Sequence, residues 1–346
     1  MPVDSQPNAA NPFLMMIFAV VVLIAVASAA AVVLVTQPFA GSLSSRAPDV
    51  APASLEKHVR YLSVALYPRS YDRLKNIKLA AHYVHEEFKA TGAEVSFQDV
   101  IVQGTTYTNV VARFGPKAGP LIIGGAHYDS YGQAGFDAGP AGYSRQTHTP
   151  GADDNASGVA GLIELARLLG RSAQTRPIEL VAYTLEEPPY FGTEHMGSVW
   201  HARSLAKERR DVLLMLSLEM IGYFSDQPGS QNYPVSGMSQ LYSDRGDFIA
   251  LVGKFSDFRA IRKAKALMRG ATDLPVHSIN APTLLQGIDF SDHRSYWDEG
   301  FPAFMITDTA FFRNPMYHGA GDTYDTLDYR RMAKVVKAVY AVVQGD

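Results

Sequence analysis

The run PLIIGGAHYD, residues 120–129, is apolar almost to its end and then turns to His127 and Asp129. A short, uninterrupted apolar run of this kind is the signature of a strand buried on both faces. Working outward, similar runs recur at 109–114, 178–185, 213–220 and 303–307. Between and after them, helical spacing covers 157–169, 193–206, 247–268 and 329–343. Upstream, Leu74, Ile77, Ala81, Val84 and Phe88 recur at steps of three and four, and Gly92 stops the pattern. Strands alternating with helices predict an α/β fold, with a mostly parallel mixed sheet flanked by helices on both faces. With no internal repeat and no second linker, residues 54–346 read as one catalytic domain.

Composition narrows the chemistry. The chain of 346 residues is 47% apolar and 19% charged, an ordinary globular balance, and its net charge of −3 gives no reason to expect nucleic-acid binding. It has no cysteine, which removes disulfides, thiolate ligands and thiol nucleophiles. Any metal must therefore be held by His, Asp and Glu. Residues 13–35 are uncharged, with Ser28 and Thr-free apolar neighbours filling the span. That length meets the requirement of about 20 residues for a membrane-spanning helix. A cleaved signal peptide is the rival, with Ala27–Ala31 as a mimic of a cleavage region, and a buried core helix is a third reading. The first twelve residues carry Asp4 and no Lys or Arg, unlike the basic start of a signal peptide. The organisation expected is a tail at 1–12, a transmembrane helix at 13–35, a Pro/Ser/Gly/Ala-rich linker at 36–53, and then the domain. Arg46 and Lys57 are too sparse to set orientation by charge.

In open α/β sheets, ligands gather beyond the carboxyl ends of the strands. The residues at those positions are of one chemical kind. His127 and Asp129 follow the 120–126 run, Glu186 and Glu187 follow 178–185, and Glu219 lies in the buried-looking LLMLSLEMI. Asp153 and Asp154 precede the helix at 157, and His318 follows the last strand. Each has a plainer explanation taken singly: a hydrogen-bonded His–Asp pair, a helix cap, a solvated turn. Glu219 resists one, because a buried carboxylate must be paired or metal-bound. Together they converge on one edge of one sheet.

The stretches GAHYDS (125–130), GADDNASG (151–158), TLEEP (184–188), SLEMIG (217–222) and YH (317–318), with DTYDTLD (322–328), are similar to those of the family 28 metallopeptidases. These are co-catalytic zinc exopeptidases that include bacterial aminopeptidases and glutamate carboxypeptidase. The resemblance runs from about Leu55 to the C-terminus. It implies the zinc-exopeptidase fold, in a bacterial-type membrane-anchored member, and two zinc ions. One ion would be held by His127, Asp154 and Glu219; the other by Asp154, Glu187 and His318, with Asp154 bridging. Glu186 would be the general base acting on a hydroxide shared by the ions. Two departures stand out. Many relatives have Asp where this chain has Glu219, which lengthens a ligand arm, and the segment 131–150 is longer than usual, which reshapes the substrate entrance.

The chemistry suits these residue types. Zinc accepts imidazole nitrogen and carboxylate oxygen, and two ions can share and acidify a water. A carboxylate with two oxygens can bridge them. Asp129, two residues past His127, is placed to orient the imidazole. Neighbours on an extended chain point apart, so Glu186 is free for proton transfer if Glu187 is a ligand. Tyr317 is a candidate donor to the developing oxyanion, with plain packing as the alternative. Asp292 matches a family segment near the substrate pocket and is expected to support the site from behind. His82, His85 and Glu86 lack the histidine a zincin motif would need at Lys89 and read as the wet face of a helix. His148, His195, His201 and His277 read as surface or structural. No Gly-x-Ser-x-Gly elbow occurs. The expected protein is a single-pass membrane exopeptidase with its domain outside the cytoplasm, acting on peptides, most simply an aminopeptidase. A carboxypeptidase with Arg294 or Arg313 as the carboxylate pocket, a glutaminyl-cyclase-like acyl transferase and a catalytically dead receptor domain are the alternatives. Oligomeric state is not legible.

Overall fold

Period-two alternation organises the sheet. Ile122, Leu180 and Leu216 are buried in one apolar core, and Ile123, Val181 and Met215 in a second. Successive side chains of a strand point to opposite faces, so these strands have no wet side. The computed structural model describes residues 11–132 and 148–345. Its elements in chain order are α1 (Pro12–Thr36), α2 (Pro52–Arg60), α3 (Leu74–Lys89), β1 (Glu94–Val102), β2 (Thr105–Phe114), β3 (Leu121–His127), α4 (Gly158–Leu169), β4 (Ile178–Tyr183), α5 (Gly197–Lys207), β5 (Val212–Glu219), β6 (Ile249–Gly253), α6 (Phe258–Ala271), β7 (Val276–Asn280), α7 (His293–Asp298), β8 (Ala303–Thr307) and α8 (Tyr329–Gln344).

The strands form one eight-stranded mixed sheet, in the order β1-β2-β4-β3-β5-β8-β6-β7. The central neighbours β4, β3, β5 and β8 run parallel, so their carboxyl ends gather at one end of the sheet. A hairpin of β1 and β2 adds antiparallel to β4, turning at Gln103 and Gly104, both with positive φ. Beyond β8, β6 runs antiparallel and β7 follows parallel to β6. Strands β6 and β7 thus end at the opposite end of the sheet from β3, β5 and β8.

The α/β architecture and the parallel centre are as expected. One element differs. The stretch 247–268, read as a single helix, is a strand followed by a helix: Ile249–Gly253 forms β6, and α6 begins at Phe258. The segment FIALVG is apolar on every side, and periodicity cannot separate a buried strand from a buried helix over so few residues. The helix expected from 193 begins at Gly197, after a series of turns. β1, β7, α2 and α7 complete the fold. The first two alternate apolar and polar residues only weakly.

Among the described residues one helix is long and apolar enough to cross a membrane, Phe13–Thr36, with mean hydropathy 3.0. It is α1. The chain after it lies along α6, where Leu43 N–H donates to the Ala266 carbonyl. Residues 133–147, the bulk of the 131–150 segment expected to reshape the entrance, lie outside the described residues, as do residues 1–10.

Candidate metal centre

The parallel strands deliver the donors directly. His127 is the last residue of β3 and Glu219 the last of β5. Glu186 and Glu187 follow β4, with Leu185 between them and the strand at φ 60°. Asp154 lies in the irregular turn Ala152–Ser157 that leads into α4, and the Asp154–Asn155 peptide bond is cis. His318, φ 53°, sits in the loop after β8. Positive φ at non-glycine residues is sterically disfavoured and tends to cluster at functional sites. Here Leu185, Met220 and His318, each a donor or within two residues of one, share it. Gly151 opens the Asp154 turn at φ 59°, where a Cβ would collide with the Asp154 carbonyl.

Five of these side chains converge as two trios sharing Asp154: His127, Asp154 and Glu219, and Asp154, Glu187 and His318. His127 Nε2 is 3.3 Å from Asp154 Oδ1 and 3.4 Å from Glu219 Oε1. His318 Nε2 is 3.3 Å from Asp154 Oδ2 and 3.2 Å from Glu187 Oε2. The two histidines therefore address different oxygens of one carboxylate. Ligand atoms about 2.1 Å from a tetrahedral ion stand roughly 3.4 Å apart, so the spacing suits a metal in each trio. Glu187 Oε1 is buried without a hydrogen-bond partner. The donor set, imidazole and carboxylate with no thiolate, is the one zinc accepts.

Glu186 stands apart from both trios. Its Oε2 is 3.8 Å from His127 Nε2, farther than any donor within them. Asp129 supports the pair from behind: Oδ1 accepts the Glu186 N–H at 3.2 Å and Oδ2 the Glu187 N–H at 3.1 Å. The same carboxylate lies 3.5 Å from His127 Nδ1, and the Asp129 carbonyl is nearer at 3.3 Å. Tyr317 is half-buried, stacked on the His318 ring at 3.8 Å, and reaches the mouth of the neighbouring cavity. Asp292 is fully buried at the start of α7.

Other residues support the site without having been marked as site residues in the sequence, although Asn155 and Asp322 lie inside the GADDNASG and DTYDTLD stretches. Asp322 mirrors Asp129: its two oxygens accept the N–H groups of Asp153 at 2.8 Å and Asp154 at 3.1 Å. Ser291 donates to Glu219 Oε2 at 2.7 Å. Asn155 ties the Asp154 turn to β5 through the Leu218 carbonyl and the Met220 N–H. Arg69, fully buried, donates to the carbonyls of Leu62, Tyr128, Pro150 and Gly151. Tyr131 stacks on the other side of the site against His318 at 4.2 Å.

Electrostatics in the metal-free protein show the strain of this assembly. Burial would depress His127, but Glu219 and Glu186 hold it well above its ordinary value. His318, likewise opposed by burial, is lifted by Glu187 and Asp154 to about 10. Asp154 resists its burial because both imidazoles hold its carboxyl low. Burial drives Glu186 well up, with Glu219, Asp292 and Glu187 adding repulsion. Burial and then Asp154 push Glu187 to about 7. Burial also raises Glu219, and it takes Asp292 to about 7 and Asp322 to about 8. Too many carboxyl groups share too little positive charge, the condition that a bound cation relieves.

Beside Glu219 and Tyr317 opens an apolar cavity of about 100 Å³, walled by Phe248, Val252, Ile279, Ile288, Met305 and Phe311. Neither arginine considered for a carboxylate pocket lines this cavity. Arg313 is buried, donating to Gln231 Oε1 and to the Phe248 and Tyr223 carbonyls. Arg294 lies over the Phe191 ring. The remaining histidines are structural or exposed: His201 bonds Tyr296 and Glu179, and His148 bonds Ser70.

Comparison with known proteins follows the same line. Residues 109–343 match the model of peptidase family M28. The chain is 51% identical over 310 residues to the uncharacterized protein YfbL of Escherichia coli K12, covering 90% of this chain and 93% of that one. It is 27% identical over 261 residues to a probable leucine aminopeptidase of Trichophyton verrucosum, covering 73% of this chain. There it spans 60% of the relative's length. Two solved structures share the fold at 19% identity and 87% coverage of this chain, each covered in full. They are a Zn-dependent exopeptidase from Parabacteroides distasonis, TM-score 0.64, and a glutaminyl cyclase from Bacteroides thetaiotaomicron, TM-score 0.62.

Proposed function

The chain belongs to peptidase family M28, and from that premise we propose that it is a two-zinc aminopeptidase releasing bulky apolar residues from the N-termini of peptides. The observation that carries the reading is the double use of Asp154, whose Oδ1 faces His127 and whose Oδ2 faces His318, both at 3.3 Å. His127, Asp154 and Glu219 would hold one ion and Asp154, Glu187 and His318 the other. When bound, the ions supply Lewis acidity and lower the pKa of water. The protein's own groups do the rest. Glu186, outside both trios and raised by burial and its acidic neighbours, accepts a proton from the attacking water and returns it to the leaving amine. Asp129 fixes Glu186 and Glu187 by their backbone N–H groups, so neither can drift into the other's role. Tyr317 donates its phenol to the carbonyl oxygen as negative charge develops there. The apolar cavity beside Glu219 and Tyr317 seats the first side chain.

Three features weigh against the other readings. A cyclase, in which the substrate's own amine attacks, needs one Lewis acid, whereas this chain offers donors for two. A carboxypeptidase needs a cation for the terminal carboxylate, and neither Arg313 nor Arg294 lines the cavity beside Glu219 and Tyr317. A dead binding domain has no use for a base held outside both donor trios. We further read α1 as a single-pass anchor that keeps the domain outside the cytoplasm; its apolar length supports this. Mass spectrometry of peptides incubated with the zinc-loaded protein tests the assignment. Leu should leave about 30-fold faster than Ala, since three more buried carbons contribute roughly 2 kcal/mol. Blocked N-termini should resist. Pyroglutamate formation without chain shortening, or trimming from the C-terminus alone, would refute it.

A further inference from the structure

The base of α1 is not a free tether. Its last carbonyls are bound by the domain: Asn280 Nδ2 donates to Leu34 and Val35, at 3.3 and 3.2 Å. The buried Lys265 ammonium donates to Thr36 and Gln37, at 2.8 and 3.1 Å, and the Ser278 hydroxyl to Thr36 at 3.0 Å. A cation on the closing carbonyls of a helix caps it and complements its dipole. Gln37 in turn donates to the Phe258 carbonyl. Residue numbers rise along α1 as they fall along β7, so the two run antiparallel. Followed back from Thr36, α1 leaves past Asn280, at the end of the sheet where β6 and β7 finish. His127 and Glu219 lie at the other end.

Length leaves no slack. Residues 13–31 are exposed, and the following turn, from Val32, packs on the domain. At 1.5 Å per residue that exposed stretch spans about 28 Å, close to the hydrocarbon thickness of ~30 Å. A bilayer around it meets the domain with no spacer between. The turns there are the ones after β6 and β7, which touch through the Ala281 N–H and the Gly253 carbonyl. They present Phe255, 50% exposed, and Leu284, 95% exposed. Beside them α6 carries Arg259, Arg262 and Lys263, all exposed, and no acidic residue. The acids near this end include Asp257, buried just before α6, together with Asp298 and Glu299, and Glu299 lies 3.7 Å from Arg203.

We infer that this end of the domain is a membrane-docking surface for anionic lipid, with Phe255 and Leu284 entering the interface and Arg259, Arg262 and Lys263 facing the headgroups. The inference rests on α1 being kept as an anchor. Basic residues beside apolar side chains are the combination that binds anionic bilayer surfaces. One consequence concerns substrates: the metal centre opens away from the bilayer, toward peptides in the aqueous phase.

The absence of cysteine makes the test clean. Phe255→Cys, Leu284→Cys and Asp325→Cys, each in the full chain, would carry an environment-sensitive fluorophore in nanodiscs containing nitroxide lipids. Asp325, on the metal-centre side, is the aqueous reference. Labels at 255 and 284 should be quenched several-fold more than the label at 325, and more in anionic than in zwitterionic discs. Combining Arg259→Glu, Arg262→Glu and Lys263→Glu should abolish that lipid preference while leaving hydrolysis of a soluble peptide unchanged, which also shows that the variant folds. Equal quenching at all three sites, or a lipid preference that survives the charge reversal, would overturn the inference. Intact mass of the membrane-extracted protein separates the premise: loss of α1 would remove the anchor reading and the docking surface together, whereas a retained α1 with unquenched labels would remove the docking surface alone.

Discussion

Glu186→Gln isolates proton transfer from metal binding. Glutamine matches the side chain in size, and the Glu186 backbone N–H that Asp129 holds is untouched. The carboxylate lost is the one acid at the front of the site that neither donor trio includes. Metal content of the variant should therefore equal that of the parent, measured by elemental mass spectrometry. Turnover should fall ~10²–10⁴-fold, the usual contribution of a general base, or about 3–5 kcal/mol at 1.36 kcal/mol per tenfold. The loss should appear in kcat with little change in KM, because Glu186 acts on the water and the leaving group. A second readout comes from the metal-free protein. Burial and neighbouring acids hold the Glu186 carboxyl well above its ordinary value. An acid raised by folding favours the folded state below its unfolded pKa, and that benefit is lost as pH rises through the folded value. Glutamine, always neutral, escapes the loss, so the metal-free variant should melt higher than the metal-free parent at pH 8. An active variant, or one that had lost an ion, would refute the assignment of Glu186 as base.

Glu187→Gln should behave oppositely, lowering bound zinc from two equivalents to one while the His127, Asp154 and Glu219 trio stays filled. Chelation should abolish peptide hydrolysis and zinc should restore it; a fully active metal-free protein would end the metal reading. In the metal-free state Glu187 and Asp292 sit at about 7 and Asp322 at about 8, all raised chiefly by burial. Their stabilisation is present near pH 4 and is lost as pH climbs to 8, so the melting temperature should fall across that range, and zinc should flatten the profile. Truncation before Val32 should give a soluble, active domain that melts above one truncated after Gln37, because the longer form keeps the carbonyls that satisfy Lys265.

His127, Glu219 and Glu187 were legible because each is tied to a strand end. An apolar run that stops at His127, or at Glu219, announces both the strand and the residue that closes it. The supporting residues have no such tie. Asp322 acts on the turn at Asp153 and Asp154 from a loop about 170 positions away, and Ser291 reaches Glu219 from the segment before α7. Neither has a spacing that marks it. The apolar cavity is likewise assembled from segments near 231–242, 285–290 and 309–317 that carry no shared period. β6 was hidden for another reason, since six apolar residues fit a strand and a helix equally well. Lys265 did leave a trace: it falls among Ile261, Ala264 and Met268 on the buried side of α6, where a lysine needs partners.

The same accounting explains why so much of the centre is acidic. Asp129, Asp153, Asp154, Glu186, Glu187, Glu219, Asp292, Asp308 and Asp322 are all buried around it, against His127, His318, Arg69 and Arg313. Hydrogen bonds to backbone N–H groups satisfy Asp129, and protonation relieves Asp153, Glu186, Asp292, Asp308 and Asp322, all raised chiefly by burial. That leaves the two trios, where protonation would remove the lone pairs that make them useful. A divalent ion in each would neutralise the carboxylates without consuming their oxygens, and it would also free both imidazoles from the need to be charged. Ligand binding and fold stability are then one equilibrium. On this argument the acids that burden the metal-free protein are the source of its affinity, and zinc should raise the melting temperature in proportion to how tightly it is held.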